Sequence, residues 1–375
     1  MRWRGASLMM VMAVGLMVLV AGCSSATDSP PANNAGEATQ KEGEEGGENT
    51  GQQQEMTQPI TLSIAHAFPG SHPIETEIIQ PWAKAIEEKT DGLIKIESYP
   101  VGSLLGADQI YDGVVNKVVD MGLSFFSYTP GRFPVMNSIE LPGIPINNAM
   151  VGTRIAMDIL TEFNPDEVQD TKIMVTGTTG SAYLITKDPV HTLEDFKGMQ
   201  IRTTGGSAGG VEALGGAPVS MPMSDAYDAM SKGVVDGVLG ATEIIRAYKL
   251  NEVASYVTVT PFMYNGNYFI NINKETWESI PEALRAVIEE ENKKLHEDII
   301  PNYFDTANEA GLQYGIDESG IEVIHLSDEE RKRWLEVLST FNQKYAEELD
   351  AQGLPGTEVL EKIKSLAEQY NQQYQ

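Results

Sequence analysis

Between residues 61 and 126 the hydrophobic pattern of this chain alternates between the two regular periods. Residues 61–66 (TLSIAH) read as a first strand, and residues 74–89 have helical spacing, with Ile78, Ile79, Trp82 and Ile86 on one face. Residues 93–99 read as a second strand, 110–119 as a second helix and 120–126 as a third strand. Strands joined by helices do not pair as hairpins. The crossover returns the chain to the same end of the sheet, so the strands run mostly parallel and the helices cover the faces. In such sheets ligands sit beyond the C-terminal strand ends. His66 and the loop Phe125-Phe126-Ser127-Tyr128 fall at two of those ends.

Residues 172–178 and 182–186 read as strands that cross into a second lobe. There residues 199–203 (MQIRT) alternate apolar and polar, with Arg202 near the strand end and glycines at 205, 206, 209 and 210 directly after. A helix beginning among those glycines offers unpaired N–H groups and a positive dipole end, glycines let a ligand approach the backbone, and an arginine holds a carboxylate in a bidentate fork. The pattern therefore points to an anion site. On residue type alone the same pattern also fits a strand, turn and helix with a surface ion pair. It is not a phosphate loop, because no Gly-Lys-Ser/Thr follows, and the dinucleotide G-x-G-x-x-G spacing is absent. Residues 219–222 read as a strand, Ser224 as the cap of a helix through Met230, and 236–239 and 257–261 as further strands. Residues 267–273 return the chain to the first lobe. From Lys274 the chain is largely helical, with one very long pattern through Leu295 and Tyr303. Phe341, Tyr345, Leu349 and residues 360–370 form terminal helices.

Four segments carry a family resemblance. Residues 196–203 (FKGMQIRT) resemble the KG-x-K-I-R segment of the solute receptors of tripartite ATP-independent periplasmic (TRAP) transporters. Residues 221–237 (MPMSDAYDAMSKGVVDG) are similar to that family's P-M-x-S-E-x-Y-x-A-L-Q-x-G-V-V-D-G signature. Residues 99–106 (YPVGSLLG) and 268–277 (YFININKETW) resemble its Y-P-x-G-x-L-G segment and its strand-to-helix passage. They occur in family order, and the resemblance spans about residues 60–350. It implies an α/β, two-lobe, periplasmic-binding-protein-like fold with a cleft between the lobes and a long bridging helix. Residues 59–178 plus 268–305 form lobe I on this reading. Residues 179–267 plus 306–375 form lobe II and the terminal helices. The implied function is an extracytoplasmic receptor that captures a small organic acid and delivers it to an ion-gradient-driven permease of two unequal membrane subunits. The alternative is a sensing module that presents the same solute to a membrane kinase.

The N-terminus gives the location. Arg2 and Arg4 precede a run at 8–20 that is nearly all apolar, too short for a comfortable span but suited to a signal peptide. Residues 19–23 (LVAGC) resemble a lipobox, so residues 1–22 are read as a lipoprotein leader and Cys23, the single cysteine, as the lipidated residue. Residues 23–58 have the composition of a disordered acidic tether. A tethered receptor on the extracytoplasmic face of the cell membrane suits a Gram-positive cell; a Gram-negative lipoprotein is the alternative. The formal charge of −28 disfavours nucleic acid as a partner.

The resemblance assigns Arg202 to the ligand carboxylate. Sialic-acid-binding members carry a second arginine about twenty residues upstream, where this chain has Ala182 and Tyr183, and an asparagine where it has Gly240. A smaller or more apolar acid is therefore expected, with Tyr183 and Phe126 among its contacts. Met223 is either a wall against the ligand or core. Glu243 either bonds a ligand hydroxyl or ammonium or caps the next helix. Tyr264, Asn265 and Tyr268 serve either the pocket or the hinge, and His66 is either a ligand donor or a satisfied polar residue. No serine-hydrolase elbow, H-E-x-x-H motif, reactive cysteine or metal-ligand cluster is present, so the expectation is a binding protein without a cofactor, not an enzyme.

Overall fold

The computed structural model describes residues 58–374; the expected leader, Cys23 and most of the tether lie outside the described residues. In chain order, β1 (Ile60–His66), α1 (Gln80–Lys89), β2 (Ile94–Tyr99), α2 (Ile110–Val115) and β3 (Met121–Phe125) form the first alternating unit. A π-helical turn, Ile74–Ile79, runs directly into α1. Then come α3 (Ala149–Phe163), β4 (Thr171–Thr178), β5 (Ala182–Thr186), α4 (Leu193–Phe196), β6 (Gln200–Thr203), α5 (Gly206–Ala213) and β7 (Ala217–Ser220). They are followed by α6 (Ala226–Ser231), β8 (Gly237–Ala241), α7 (Ile244–Ala247), β9 (Tyr256–Val259) and β10 (Asn267–Asn273). The C-terminal part comprises α8 (Lys274–Ser279), α9 (Glu282–Lys294), α10 (Ile300–Ser319), β11 (Glu322–His325), α11 (Asp328–Ala351) and α12 (Gly356–Gln373).

The strands form two sheets, ordered β2-β1-β3-β10-β4 and β11-β9-β5-β8-β6-β7. In the first, β1 is parallel to β2 and β3, while β10 runs antiparallel between β3 and β4. In the second, β6 is parallel to β7 and β8, and β5 is antiparallel to β8 and β9. Both sheets are thus mixed, with each antiparallel strand marking a crossing. β4 lies in the first sheet and β5 in the second, so of the two strands read as crossing only β5 does so. The chain crosses at 179–181, returns through 260–266, and crosses again along α9 and α10.

Local chemistry explains most boundaries. Asn148 caps α3 by accepting from Val151 N–H at 2.8 Å, and Asn164 ends it with a left-handed φ of 40°. Thr192 and Asp195 form a capping box at α4. The expected Ser224 cap is absent. A 3-10 turn, Met223–Asp225, precedes α6, and the Ser224 hydroxyl bonds the neighbouring Asp225 carboxylate instead. The long helical pattern is α9 and α10 joined by a π-helical turn, Leu295–Ile299. Pro301 lies in the first turn of α10, where its missing N–H costs little. Leu295, Ile300 and Phe304 are buried in the first-sheet core, while Gly311 and Gly315 pack on residues 242–245 and Ile321 of the second-sheet layer. The pair therefore spans both layers. Strand β11 was not anticipated; its four residues are too short to show a period. α12 buries Val359, Leu360 and Ile363 in a cluster with Val151 and Ile155 of α3. Among the described residues no helix is long and apolar enough to cross a membrane.

Candidate functional site

Between the two sheets lies a small cavity. It is bounded by the C-terminal end of β3, the end of β8 with α7, and the crossing residues Thr179, Tyr264 and Gly266. About 390 Å³ is free of protein atoms, but the centre of a water molecule fits within only about 30 Å³ of it. The fit is tight, at the small end of ligand sites.

Arg202 is the charged wall. It is 1% exposed, deep in β6 between β7 and β8. Its Nε donates to the Met221 carbonyl at 2.9 Å, while Nη1 and Nη2 reach the Leu239 carbonyl and the Tyr128 hydroxyl only at 3.5 and 3.4 Å. Among the described residues no carboxylate pairs with it. A guanidinium taken from water into such a setting is costly unless an anion meets it. Tyr128 closes the opposite side: its hydroxyl accepts the Met223 N–H at 3.1 Å, joining the two layers across the cleft. Burial raises the Tyr128 phenol above the usual tyrosine range, with Arg202 working against that shift.

The walls are aromatic and apolar: Phe68, Phe125, Tyr248, Tyr264, Met223 and Ile244. Phe125 and Phe126 face opposite ways. Phe125 lines the cavity, whereas Phe126 packs on Phe133 and Phe269 with ring centroids 5.1 and 4.9 Å away. The side chain sequence reasoning placed at the ligand is thus a core residue, and its neighbour has that position. Gly240 keeps the floor open, since a Cβ there would meet Met223 Cε at 3.2 Å and Ile244 Cδ1 at 2.4 Å.

Four of the expected side chains, Arg202, Met223, Glu243 and Tyr264, come together at the cavity. The others do not line it. His66 is fully buried beneath, its Nδ1 accepting Phe68 N–H at 3.3 Å and its Nε2 3.1 Å from Glu75 Oε2. Burial, opposed by Glu75, lowers its pKa to about 4, so it is a neutral structural residue. Tyr183 faces a separate polar cleft with Asn147, Asp305 and Asn308. Asn265 is 3% exposed, its Oδ1 without a partner among the described residues. Tyr268 stacks on Phe304 at 6.0 Å inside the first-sheet core. Sequence reasoning missed Phe68 and Tyr248, and it named Tyr128 only as part of a loop at a strand end. The F-P-G turn after β1 and the aromatic after the F-F-S run were the available signals.

Glu243 does more than line the cavity. Its Oε2 is 3.4 Å from Nε2 of His72, although the ring is turned off the hydrogen-bond line. His72 Nδ1 accepts the Ile74 N–H at 3.1 Å, which leaves the proton on Nε2, toward Glu243. The His72 ring lies between Phe68 of the first layer, at 4.7 Å, and Tyr248 of the second, at 5.4 Å.

The glycine turn serves packing. A Cβ on Gly205 would sit 2.1 Å from Glu140 Oε2 and 2.8 Å from Ser127 Cβ, and one on Gly206 would sit 2.9 Å from the Asn137 carbonyl. Gly209 and Gly210 meet Phe341 and Pro142. The backbone that approaches the turn is the protein's own segment 137–142. Sequence reasoning assigned that approach to a ligand.

A two-layer α/β receptor with a buried, unpaired cation in an interlayer cavity is the form of a solute-binding protein. The model of bacterial extracellular solute-binding protein family 7 matches residues 64–348, and the chain belongs to that family. It is thus an extracytoplasmic solute receptor, a member of a family of binding proteins rather than enzymes. It is 26% identical over 309 residues to the C4-dicarboxylate-binding periplasmic protein DctP of Rhodobacter capsulatus, covering 79% of this chain and 90% of that one. It is 24% identical over 268 residues to the C4-dicarboxylate-binding protein DctB of Bacillus subtilis, covering 70% and 76%. A marine metagenome TRAP solute-binding protein in complex with metahydroxyphenylacetate superposes with a TM-score of 0.78 at 25% identity, over 83% of this chain and 99% of that one. The TRAP solute-binding protein of Rhodoferax ferrireducens in complex with benzoate also gives 0.78, at 23% identity, over 84% and 99%.

Proposed function

We propose that this receptor captures a small monocarboxylate carrying an aromatic ring. The observation that carries the reading is Arg202: a buried guanidinium with no carboxylate partner among the described residues, faced by aromatic walls. A carboxylate completes its hydrogen bonds, and the ring fills the space between Phe68, Phe125 and Tyr248. Among the described lining residues Arg202 is the cation, so a second carboxylate would have no counter-charge; this favours a monocarboxylate over a C4-dicarboxylate. Relatives that bind hydroxyphenylacetate and benzoate have the same fold. Arg202, Met223, Glu243 and Tyr264 are the ligand contacts in this reading, joined by Phe125 and Tyr128.

The test is thermal unfolding of protein stripped of ligand, with benzoate, 3-hydroxybenzoate, mandelate, succinate and glucose. At about 100 times its dissociation constant a ligand adds about 2.7 kcal/mol. Stabilisation by the aromatic acids, lost in Arg202→Gln, is expected. Stabilisation by succinate or glucose alone would overturn the reading. The lipobox at Cys23 supports attachment to the outer face of the cell membrane beside the permease. Fatty-acid labelling of the wild-type chain, absent in Cys23→Ala, is the expected result; equal labelling of both would refute it.

A further inference from the structure

Behind the cavity, four side chains form a buried chain that reaches the ligand space only at its last member, Tyr264. Glu140 closes the 3-10 turn Met136–Glu140 and is fully buried. Its Oε1 accepts the Asn267 N–H at 2.8 Å; its Oε2 has no donor aimed at it. The Ser127 hydroxyl adjoins Oε2 beside Gly205, but it donates its hydrogen to Thr204 Oγ1 at 3.1 Å. Thr204 Oγ1 in turn lies 3.0 Å from the Tyr264 hydroxyl, which borders the cavity. All four residues are at most 5% exposed.

While Ser127 donates to Thr204, an ionised Glu140 would leave two acceptors, Oε2 and the serine oxygen, facing each other in a dry site. A proton on Oε2 resolves this by donating to Ser127. The direction then propagates: Ser127 donates to Thr204, Thr204 donates to Tyr264, and the Tyr264 hydrogen is free to point into the cavity. Ionisation reverses every link. Ser127 turns to Glu140, Thr204 to Ser127 and Tyr264 to Thr204, so that lone pairs face the ligand.

We propose that Glu140 is a positioning residue for ligand capture, which as a neutral acid sets the direction of the Ser127–Thr204–Tyr264 chain and so makes the Tyr264 hydroxyl a donor to the ligand carboxylate. The inference rests on the carboxylate reading above. The surroundings agree with a held proton. Burial raises the Glu140 pKa to about 8, against the opposing effects of the Asn267 N–H, Ser127 and Arg202. The other titratable groups near it are phenols: Tyr128 from the turn after β3, Tyr264 from the crossing, and Tyr345 from α11. Each is itself raised by burial and stays neutral.

The test is calorimetric titration of benzoate into the wild type, Glu140→Gln and Tyr264→Phe between pH 6.5 and 9.5. Wild-type affinity should hold to about pH 8 and then fall roughly tenfold per unit, with proton uptake on binding. Glu140→Gln keeps a donor toward Ser127, so it should bind at pH 7 and lose the alkaline fall. Tyr264→Phe should bind about tenfold more weakly at pH 7, with no fall. A flat wild-type profile, or a fall that persists in Glu140→Gln, would overturn the inference. Should none of the aromatic acids bind, the carboxylate reading fails by itself. The infrared carbonyl band of a protonated acid then decides for Glu140. Its presence at pH 7 in the wild type and loss in Glu140→Gln would support the held proton, and its absence would overturn it.

Discussion

Phe125 and Phe126 are adjacent and chemically identical, yet one lines the cavity and the other fills the core. A strand sends successive side chains to opposite faces, and the residue that follows β3 turns back toward Phe133 and Phe269. Two different losses follow. Phe126→Ala should cost about 3–5 kcal/mol of stability, read by chemical denaturation. Phe125→Ala should cost less stability and weaken benzoate binding several-fold, read by calorimetry. The sequence placed an aromatic pair at a strand end, but the facing of each ring depends on where the strand stops, which periodicity does not resolve to one residue. The place of Arg202 near the end of its strand was legible in the alternation of residues 199–203, whereas its role toward a carboxylate was implied only by the family resemblance. His66 shows the limit of residue type, since a histidine at a strand end became a buried neutral base. Its pKa is depressed to about 4 from 6.5, mainly by burial. Below pH 6.5 the unfolded chain therefore binds a proton that the folded one refuses, and the stability contributed at neutral pH drains away as pH falls from 6.5 toward 4. A His66→Gln variant should lose less stability across that window than the wild type in thermal melts at matched pH; equal losses would refute the assignment.

At the scale of elements, the glycines of the turn and of the long helix do the same job. They let neighbouring parts of the chain come close, backbone at Gly206 and Gly311 and side chains at Gly205, Gly209, Gly210 and Gly315. Gly311 in α10 faces the Thr242 carbonyl, and a Cβ there would lie 2.4 Å from it and 2.6 Å from Glu243 Cα. Alanine is the better helix former by about 1 kcal/mol, but forcing a methyl into a filled contact costs about 1–3 kcal/mol. Gly311→Ala should therefore destabilise despite the propensity gain. It should also weaken ligand binding, because residues 242 and 243 carry the cavity wall; a stabilised variant would show that the helix can shift freely. The alternation of strands and helices, the return strand and the long helix were readable because each depends on a repeated local pattern. The partner of each glycine was not. Close approach is visible in a sequence only as the lack of a side chain, which does not say whether a ligand or the chain itself fills the space. Strand β11 and the stay of β4 in the first sheet depend on long-range pairing that no local pattern records.

For the molecule as a whole, function requires the two layers to part and close, since a cavity this tight has to open for a ring to enter. The crossings at 179–181 and 260–266, and the π-helical turn Leu295–Ile299 between α9 and α10, are the places where backbone rotation leaves both sheets intact. Contacts at the cavity that help hold the closed form include Tyr128 on Met223, Ser127 on Thr204, and His72 between Phe68 and Tyr248 beside Glu243. His72 can be removed without touching the hydrogen bonds of Arg202, because it bonds neither Arg202 nor Tyr128. An aromatic contact of this kind contributes about 0.5–1.5 kcal/mol beyond its buried area, and His72 makes one to each layer. His72→Ala should shift ligand-free protein toward the open form, which small-angle scattering reads as a larger radius of gyration. It should also raise the dissociation rate of a bound aromatic acid about 5- to 30-fold, with a smaller change in association rate, because closure holds the ligand after it has entered. Unchanged dissociation together with an unchanged radius would mean that ligand contacts alone close the cleft, and that the His72 ring merely fills space between the layers.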